Sequence, residues 1–547
     1  MEKRLKNLNE QTGIKNICKL ALQAGGDISQ LIIPTHETGG DGLTNGTILK
    51  VNGEWLMNIR RVAYALFHSE NNQKFHSPWG PLVYFNPEDD ITLTTTNYMC
   101  EIDPDNLKLK KWTKTNTSKL DVKPIWEFVG HEDVRLAHWD NILYQTGVRR
   151  DTTPNGEGRM ELSTIEKRGC CDWEETERQR LSTPDGRTHA EGGSYCEKNW
   201  MPINDMPYHY VKWCVPTEIV KVNPDDGSVK QIALVDQPNF KPPRDIRGSS
   251  NVIKYKDMWV AIIHECDLWY DIDEKKDAVY HHRILCWDKD WNLIKTSETF
   301  NFMTGQIEFT CGLALDGDNF LIPFGFQDHT SFLLKLPTSV FDFLIEDEID
   351  SHLRLIVQSE IGKDNHEDTV ITRFIKDPHN GQLAFDMAEW YFGKGQYASA
   401  LGFYSRCAEY SDDENLIYQS VFMLAGCLSA MKRRDNAEEL MYLKAIELDK
   451  DRPEAYLALS RWYSWRNQPN KAYSFASMGC QCTKKGFKVS PSLGYDESEL
   501  QLQRILFSSF DGKYEEKKKV LQQAVNDGID YPWVKHHADK WNIKKNN

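Results

Sequence analysis

The sequence predicts an all-β five-bladed β-propeller followed by an all-α domain of helical repeats, on three observations. A strand–turn–strand unit recurs five times before residue 340. A further strand-like segment follows each copy. Beyond about residue 380 the apolar period lengthens from two to the spacing of helices. Four short strands, repeated five times with variable loops, make a propeller, whereas a β-sandwich, the competing all-β arrangement, does not require five like units.

The copies read NGTILKVNGEWLMNIR, EDVRLAHWDNILYQTG, KNWMPINDMPYHYVKW, GSSNVIKYKDMWVAIIHE and EFTCGLALDGDNFLIPFG. Their turns are Asn52-Gly53, Asp140-Asn141, Asn204-Asp205, Lys256-Asp257 and Asp316-Gly317, mostly residues that accept the left-handed backbone of tight hairpins. Second strands begin at Trp55, Ile142, Tyr208, Trp259 and Phe320, at spacings of 87, 66, 51 and 61 residues. The following segments are ITLTTTNYMCEID, GRMELSTIE, TEIVKVN, HHRILCWD and SFLLKLP. The expected organisation is a flexible lead-in over 1–40, a propeller over 41–340, a charged connector over 341–379 and helical repeats over 380–547. Gly395-Gln396-Tyr397 with Ala400, Leu401 and Tyr404 looks like a tetratricopeptide repeat, as does Ala437 to Ala445 with Leu448 and Pro453. Ala400, Ala437 and Ala472 lie 37 and 35 residues apart, near the period of about 34. Such small residues serve helix packing, and the concave face of a repeat array suits a protein partner or self-association.

Composition narrows the function classes. The 547 residues carry a net charge of −15, which argues against general nucleic-acid binding. No run of about eighteen apolar residues and no secretory signal occur, so no membrane span is expected. Thirteen cysteines without a C-x-x-C pair fit a reducing cytoplasm and give no structural zinc set. No metal and no cofactor is expected; the His281-His282 pair has no further ligands beside it. The phosphate-loop, dinucleotide, nucleophile-elbow and H-E-x-x-H motifs are all absent.

One position of the repeat points to a site. Nine residues before each second strand stand Gly46, Asp133, Asn199, Ser250 and Cys311, small or polar residues where inner strands ring a propeller axis. Asn45, Glu132, Arg135, Lys198, Arg247, Ser249 and Glu308 adjoin them. Asn58 and Arg60 share one face of a strand by its two-residue period. The stretch 130–161, with Arg149, Arg150 and Arg159, is dense in charge that needs partners near a core. An ion pair between Asp133 and Arg135 is the simplest structural use of that carboxylate.

EDVR at 132–135, KNWMP at 198–202, RGSSNVI at 247–253, the strand ending in His264 and FTCG…FLIPFGFQD at 309–328 together resemble the β-mannoside phosphorylases and related β-1,2-mannosyltransferases. The resemblance covers roughly residues 40–340 and implies a five-bladed propeller with a sugar site on its axis. It implies Asp133 as the general acid/base. It leaves Arg150, Arg159, Lys198, Arg247 and His264 as candidate phosphate ligands, with Arg135, Asn199, Ser249, Asn58, Arg60 and Asp328 completing the substrate set. Lys198 stands where an Arg is expected, and Arg247-Gly248-Ser249 replaces a lysine-containing segment. The expected activity is therefore glycosyl transfer of a mannosyl-type sugar from a phosphate-activated or nucleotide donor to a glycan acceptor. Phosphorolysis and a non-catalytic scaffold are the alternatives.

Overall fold

The computed structural model describes residues 16–70, 82–153, 156–169, 172–182, 196–270, 274, 276–345, 369–433, 436–484, 514–530 and 532–546. Among the described residues five four- or five-stranded sheets follow the order the repeat predicts, beside a two-stranded ribbon of Ala65–His68 and Leu82–Phe85. Blade 1 is Gly42–Val51, Glu54–Val62, Leu93–Asp103 and Lys108–Lys114; blade 2 is Glu132–Trp139, Ile142–Arg149, Arg159–Arg168 and Asp172–Arg180. Blade 3 runs from Met201–Pro202 through His209–Trp213 and Thr217–Val222 to Val229–Val235. In blade 4 the inner strand is split into Asp245–Gly248 and Ile253–Tyr255, followed by Met258–Tyr270, Lys276–Trp287 and Leu293–Thr296. Blade 5 likewise splits its inner strand into Glu308–Phe309 and Ala314–Asp316 before Asn319–Phe326 and Thr330–Pro337.

The outer strand of blade 5 corrects the expected lead-in. Asp27–Leu31 pairs antiparallel with Thr330–Pro337, Asp27 opposite Lys335, so a segment from before the first blade completes the last one. Its short burial-patterned run (Ile28 and Leu31 inside) is too brief to be distinguished from loop by sequence period. The expected connector also proves helical at its described ends, Thr338–Ile345 and Val370–Lys376, while IEDEID lies almost wholly outside the described residues.

Ring closure follows from apolar residues on both faces of each blade. Trp55, Met57 and Ile59 pack against Leu321 and Leu333 of blade 5, while the alternate Leu56, with Leu49 and Met99, meets Leu136 and Leu143 of blade 2. Trp139 and Leu162 meet Trp200 and Tyr210; Met201 and Val211 meet Ala261 and Trp287; Val260 and Ile284 share a cluster with Phe320 and Phe324. Two-sided burial explains why these strands alternate weakly. The predicted hairpin turns hold at four copies, with Asn52, Asp140 and Lys256 at positive φ. In blade 3 the connection spans 203–208 and is wider than the Asn204-Asp205 turn expected.

The C-terminal region packs consecutive helices, Gly381–Gly393, Tyr397–Tyr410, Glu414–Ala430, Ala437–Leu448, Glu454–Trp465 and Pro469–Gly479. Ala400, Ala437 and Ala472 are fully buried at the helix contacts, as small packing residues should be. Helix Tyr397–Tyr410 lies on the propeller. Phe403 stacks on Phe326 at 5.3 Å, and Ser399 Oγ donates to the His329 carbonyl at 2.8 Å. Arg406 is fully buried, paired with Glu70 and donating to Pro378 O and Thr304 Oγ1 at 2.8 Å each. Among the described residues no helix is long and apolar enough to cross a membrane.

Candidate active site

A left-handed residue stands within three residues of the start of three inner strands: Asn45 at φ 49°, Asp133 at 51° and Asn199 at 66°. Asn and Asp are the side-chain-bearing residues that tolerate this backbone best. The polar character of these positions thus has a conformational cause as well as a chemical one. Arg135 draws them together. Its Nη1 donates to the Asp133 carbonyl at 2.6 Å, its Nη2 to Asn199 Oδ1 at 3.3 Å and its Nε to the Ser249 carbonyl at 2.7 Å. One guanidinium therefore spans blades 2, 3 and 4. The Cys311 amide donates to Gly46 O at 3.3 Å, and Asn251, beside Ser250, bonds Leu313 in both directions, closing the ring through blade 5. Blades 1 and 5 approach so closely here that a Cβ on Gly325 would lie 2.2 Å from Thr44 Oγ1 and 2.8 Å from Asn45 Oδ1.

At the centre of this face Asp133 Oδ1 accepts from Arg60 Nη1 at 2.8 Å and from Asn45 Nδ2 at 2.8 Å. Arg60 Nη2 is also 3.5 Å from Glu132, and Nε donates to Thr95 Oγ1 at 3.1 Å. Asp133 is 6% exposed. Burial alone would raise its pKa, but Arg60, Lys198 and Arg135, with the Asn45 hydrogen bond, outweigh burial and hold the carboxyl well below the usual range. Asp328, at φ 55° in the turn after Phe326, moves the other way. Burial raises its pKa, with the Asp133 and Glu132 charges adding to the rise while Arg60 and Lys198 oppose it. Two carboxyls sharing one field are thus driven apart, the arrangement that separates a proton acceptor from a proton holder. Lys198 is half-buried and in no ion pair among the described residues. Tyr64 and Tyr280 complete the cluster, each held protonated first by burial, and Tyr84, 38% exposed, packs edge-on to Tyr64 at 5.2 Å.

The remaining candidates separate into mouth and scaffold. His264 Nδ1 lies 2.8 Å from Ser249 Oγ with its ring edge-on to Phe309 at 4.8 Å; burial, then His282, Arg247 and Lys198, keeps the imidazole neutral. Arg247 sits on the rim, opposite His264 in register and bonded to Asp245 at 2.8 Å. Arg150 stacks its guanidinium 4.5 Å over Phe128 and donates to Gly156 O at 2.8 Å, and its charge reaches Tyr84 and Cys196. Arg135, expected as a substrate ligand, is 0% exposed and spends its donors on the fold. Its expected pairing with the Asp133 carboxylate is replaced by Arg60. Asn58 is buried one pleat deeper, bonded to Asn97 and Gln145 at 2.9 Å each. Arg159 pairs with Glu157. Glu308 accepts from the amides of Phe302, Met303 and Gly305, a loop-holding role. Of the aromatics, Trp200 is fully buried against Glu197, whereas Trp213 and Trp269 are exposed. Among the described residues no group of three or more His, Cys, Asp or Glu is placed to hold a metal.

Sequence reasoning missed Asn45 as a direct partner of Asp133, and Tyr64, Thr95 and Tyr84. It also missed the chain that supports Asp328. Gln327 Nε2 donates to Glu70 Oε1 at 2.7 Å, and Glu70 is paired with Arg406 of the helical region. No local signal joins residues 70, 327 and 406.

A scan of family models finds no match to this sequence, and no curated protein matches it. Solved structures do resemble it. The chain is similar to carbohydrate-active enzymes. A β-1,2-mannobiose phosphorylase from Listeria innocua is 15% identical, over 56% of this chain and 93% of that one, at a TM-score of 0.34. MPT-1, a GDP-Man-dependent mannosyltransferase from Leishmania mexicana, is 10% identical over 57% and 90%, at 0.32. MPT-4, a mannose phosphorylase from the same organism, is 11% identical over 61% and 96%, at 0.30. The propeller itself rests on the sheet order and blade interfaces described above.

Proposed function

We propose that the axial cluster transfers a mannosyl-type sugar from a phosphate-bearing donor to a hydroxyl of a glycan acceptor, with Asp133 as the residue that takes the proton. The observation that carries this reading is the ionised Asp133 carboxylate, held by Arg60 at 2.8 Å beside Lys198, which is in no ion pair among the described residues. A carboxylate whose pKa lies far below neutrality is a poor proton donor and an available acceptor. In the transfer direction the anomeric carbon–phosphate oxygen bond breaks and the phosphate leaves with the electron pair. The acceptor oxygen forms the new glycosidic bond, and its proton passes to Asp133. Lys198, Arg247 and Arg150 are the cations available to the departing phosphate, Arg offering forked donors and Lys a point charge. Asp328, the carboxyl that retains a proton more readily, suits a hydrogen bond to a sugar hydroxyl.

Phosphorolysis would demand the protonated form of Asp133, which this setting disfavours. Product analysis with the purified protein, offering GDP-mannose or mannose 1-phosphate with a mannoside acceptor, tests the proposal. New glycoside formed by wild type and not by Asp133→Asn supports it. Glycoside formation by Asp133→Asn at the wild-type rate would remove Asp133 from the mechanism.

A further inference from the structure

Radially outside the axis, between blades 1 and 2, lies a cavity of about 300 Å³ that the axial chemistry does not use. It is walled by the third strand of blade 1, the segment leading into blade 2 and the end of that blade's second strand. Five buried polar atoms on four of its lining side chains make no hydrogen bond among the described residues: Thr96 Oγ1, Thr115 Oγ1, both ring nitrogens of His131 and Asp151 Oδ1. Thr115, His131 and Asp151 are only 3%, 4% and 5% exposed. Buried polar atoms are ordinarily satisfied, each orphan costing about 1–3 kcal/mol. So many around one void are a preformed set of donors and acceptors waiting for a partner.

The chemistry of the set restricts that partner. Three basic and three acidic side chains line the cavity, and its guanidiniums are already engaged, Arg149 with Glu161 at 2.8 Å and Arg178 with Glu175 at 2.5 Å. The third cation, Lys114, is exposed, so no buried positive charge is left over for a phosphate. Burial, then the charge of Arg149, holds His131 down to about 4, so the ring is neutral and offers one donor and one acceptor. Threonine hydroxyls both donate and accept, and Asp151 Oδ1 accepts only. Hydroxyl groups, which give and take hydrogen bonds at once, complement this mixture. The volume has room for about ten waters at their liquid share, or for one monosaccharide. The half-buried Val129 supplies an apolar wall for a ring face. Gly147 lets the second strand of blade 2 pass close behind this histidine, since a Cβ there would lie 3.0 Å from His131 Nε2 and 2.4 Å from the Glu132 carbonyl.

We infer that this cavity is a second binding site, separate from the axial cluster, for a neutral, hydroxyl-rich ligand of monosaccharide size. It is coupled to the axis by one bond: Asn97, in its wall, donates to the His131 carbonyl at 2.8 Å, two residues before Asp133. The inference stands whether or not the axial cluster transfers sugar.

The test uses the full-length protein with methyl α-D-mannopyranoside and, separately, inorganic phosphate as probes in calorimetric titrations. The comparison is wild type against Thr96→Val/Thr115→Val, with His131→Gln as a second variant. Removing two unpaired hydroxyls should leave the melting profile unchanged. Sugar affinity at one class of sites should fall at least tenfold, and soaked crystals of wild type should show the sugar between Thr115, His131 and Asp151. Equal sugar titrations in all three proteins, or density showing water only, overturns the site. Phosphate binding that is lost in the variants in place of sugar binding overturns the ligand class. Loss of the glycoside-forming reaction in wild type would bear on the axial proposal and leave this measurement untouched.

Discussion

Replacing Arg135 by Met separates two uses of that residue most sharply. As a phosphate ligand its loss would raise KM and spare the fold. In the structure its three bonds end on Asp133 O at 2.6 Å, Ser249 O at 2.7 Å and Asn199 Oδ1 at 3.3 Å, with no solvent exposure. An acceptor left buried and unpaired costs about 1–3 kcal/mol, so three give roughly 3–9 kcal/mol. Removing a desolvated guanidinium returns part of that, because burying a charge is itself unfavourable. The net expectation is the lower end, about 3 kcal/mol. With a urea slope of roughly 3 kcal/mol/M, the midpoint followed by tryptophan fluorescence should fall by about 1 M. A wild-type midpoint together with a raised KM for the phosphate donor would refute the reasoning and return Arg135 to the ligand set.

Asp133→Asn retains an acceptor for Asn45 and Arg60, so turnover should fall at least about 100-fold with the melting curve close to wild type, measured on the same preparation. Arg60→Met removes the guanidinium that, with Lys198 and Arg135, depresses Asp133, so its pKa should rise. A base acts above its pKa and is lost as pH falls through it. The acid limb of kcat/KM should therefore move upward into the measurable range; an unmoved limb would exclude Asp133 as the base. Arg406→Met breaks a buried ion pair with Glu70, a loss of about 3–5 kcal/mol, and frees Gln327 beside Asp328. Limited proteolysis should then cut between propeller and helices faster, and kcat should fall without a change in the propeller's own core signal.

The ring and its mouth were legible because both are written in local pattern. Turn residues such as Asn52-Gly53 and Asp140-Asn141 fix hairpins within four residues, and five copies of one frame imply a common axis. Asp133, Asn199 and Ser250 were found by counting back along each copy, and the left-handed backbone at the first two explains why Asn and Asp occur there. Which charge pairs with which was not legible. Arg60 and Arg135 are both near Asp133 in the repeat frame, yet one reaches its carboxylate and the other its carbonyl, a choice made by strand twist and blade packing.

Sequence alone, then, determined the five-fold strand repeat, the change to helices and the polar ring, since each depends on residues close along the chain. Tertiary structure decided the rest. Asp27–Leu31 became part of blade 5, Arg135 became scaffold, and Glu70, Gln327 and Arg406 came into one chain behind Asp328. Those outcomes depend on contacts between segments hundreds of residues apart. Such contacts are selected by burial and hydrogen-bond satisfaction in the closed ring, and neither quantity exists until the ring has closed.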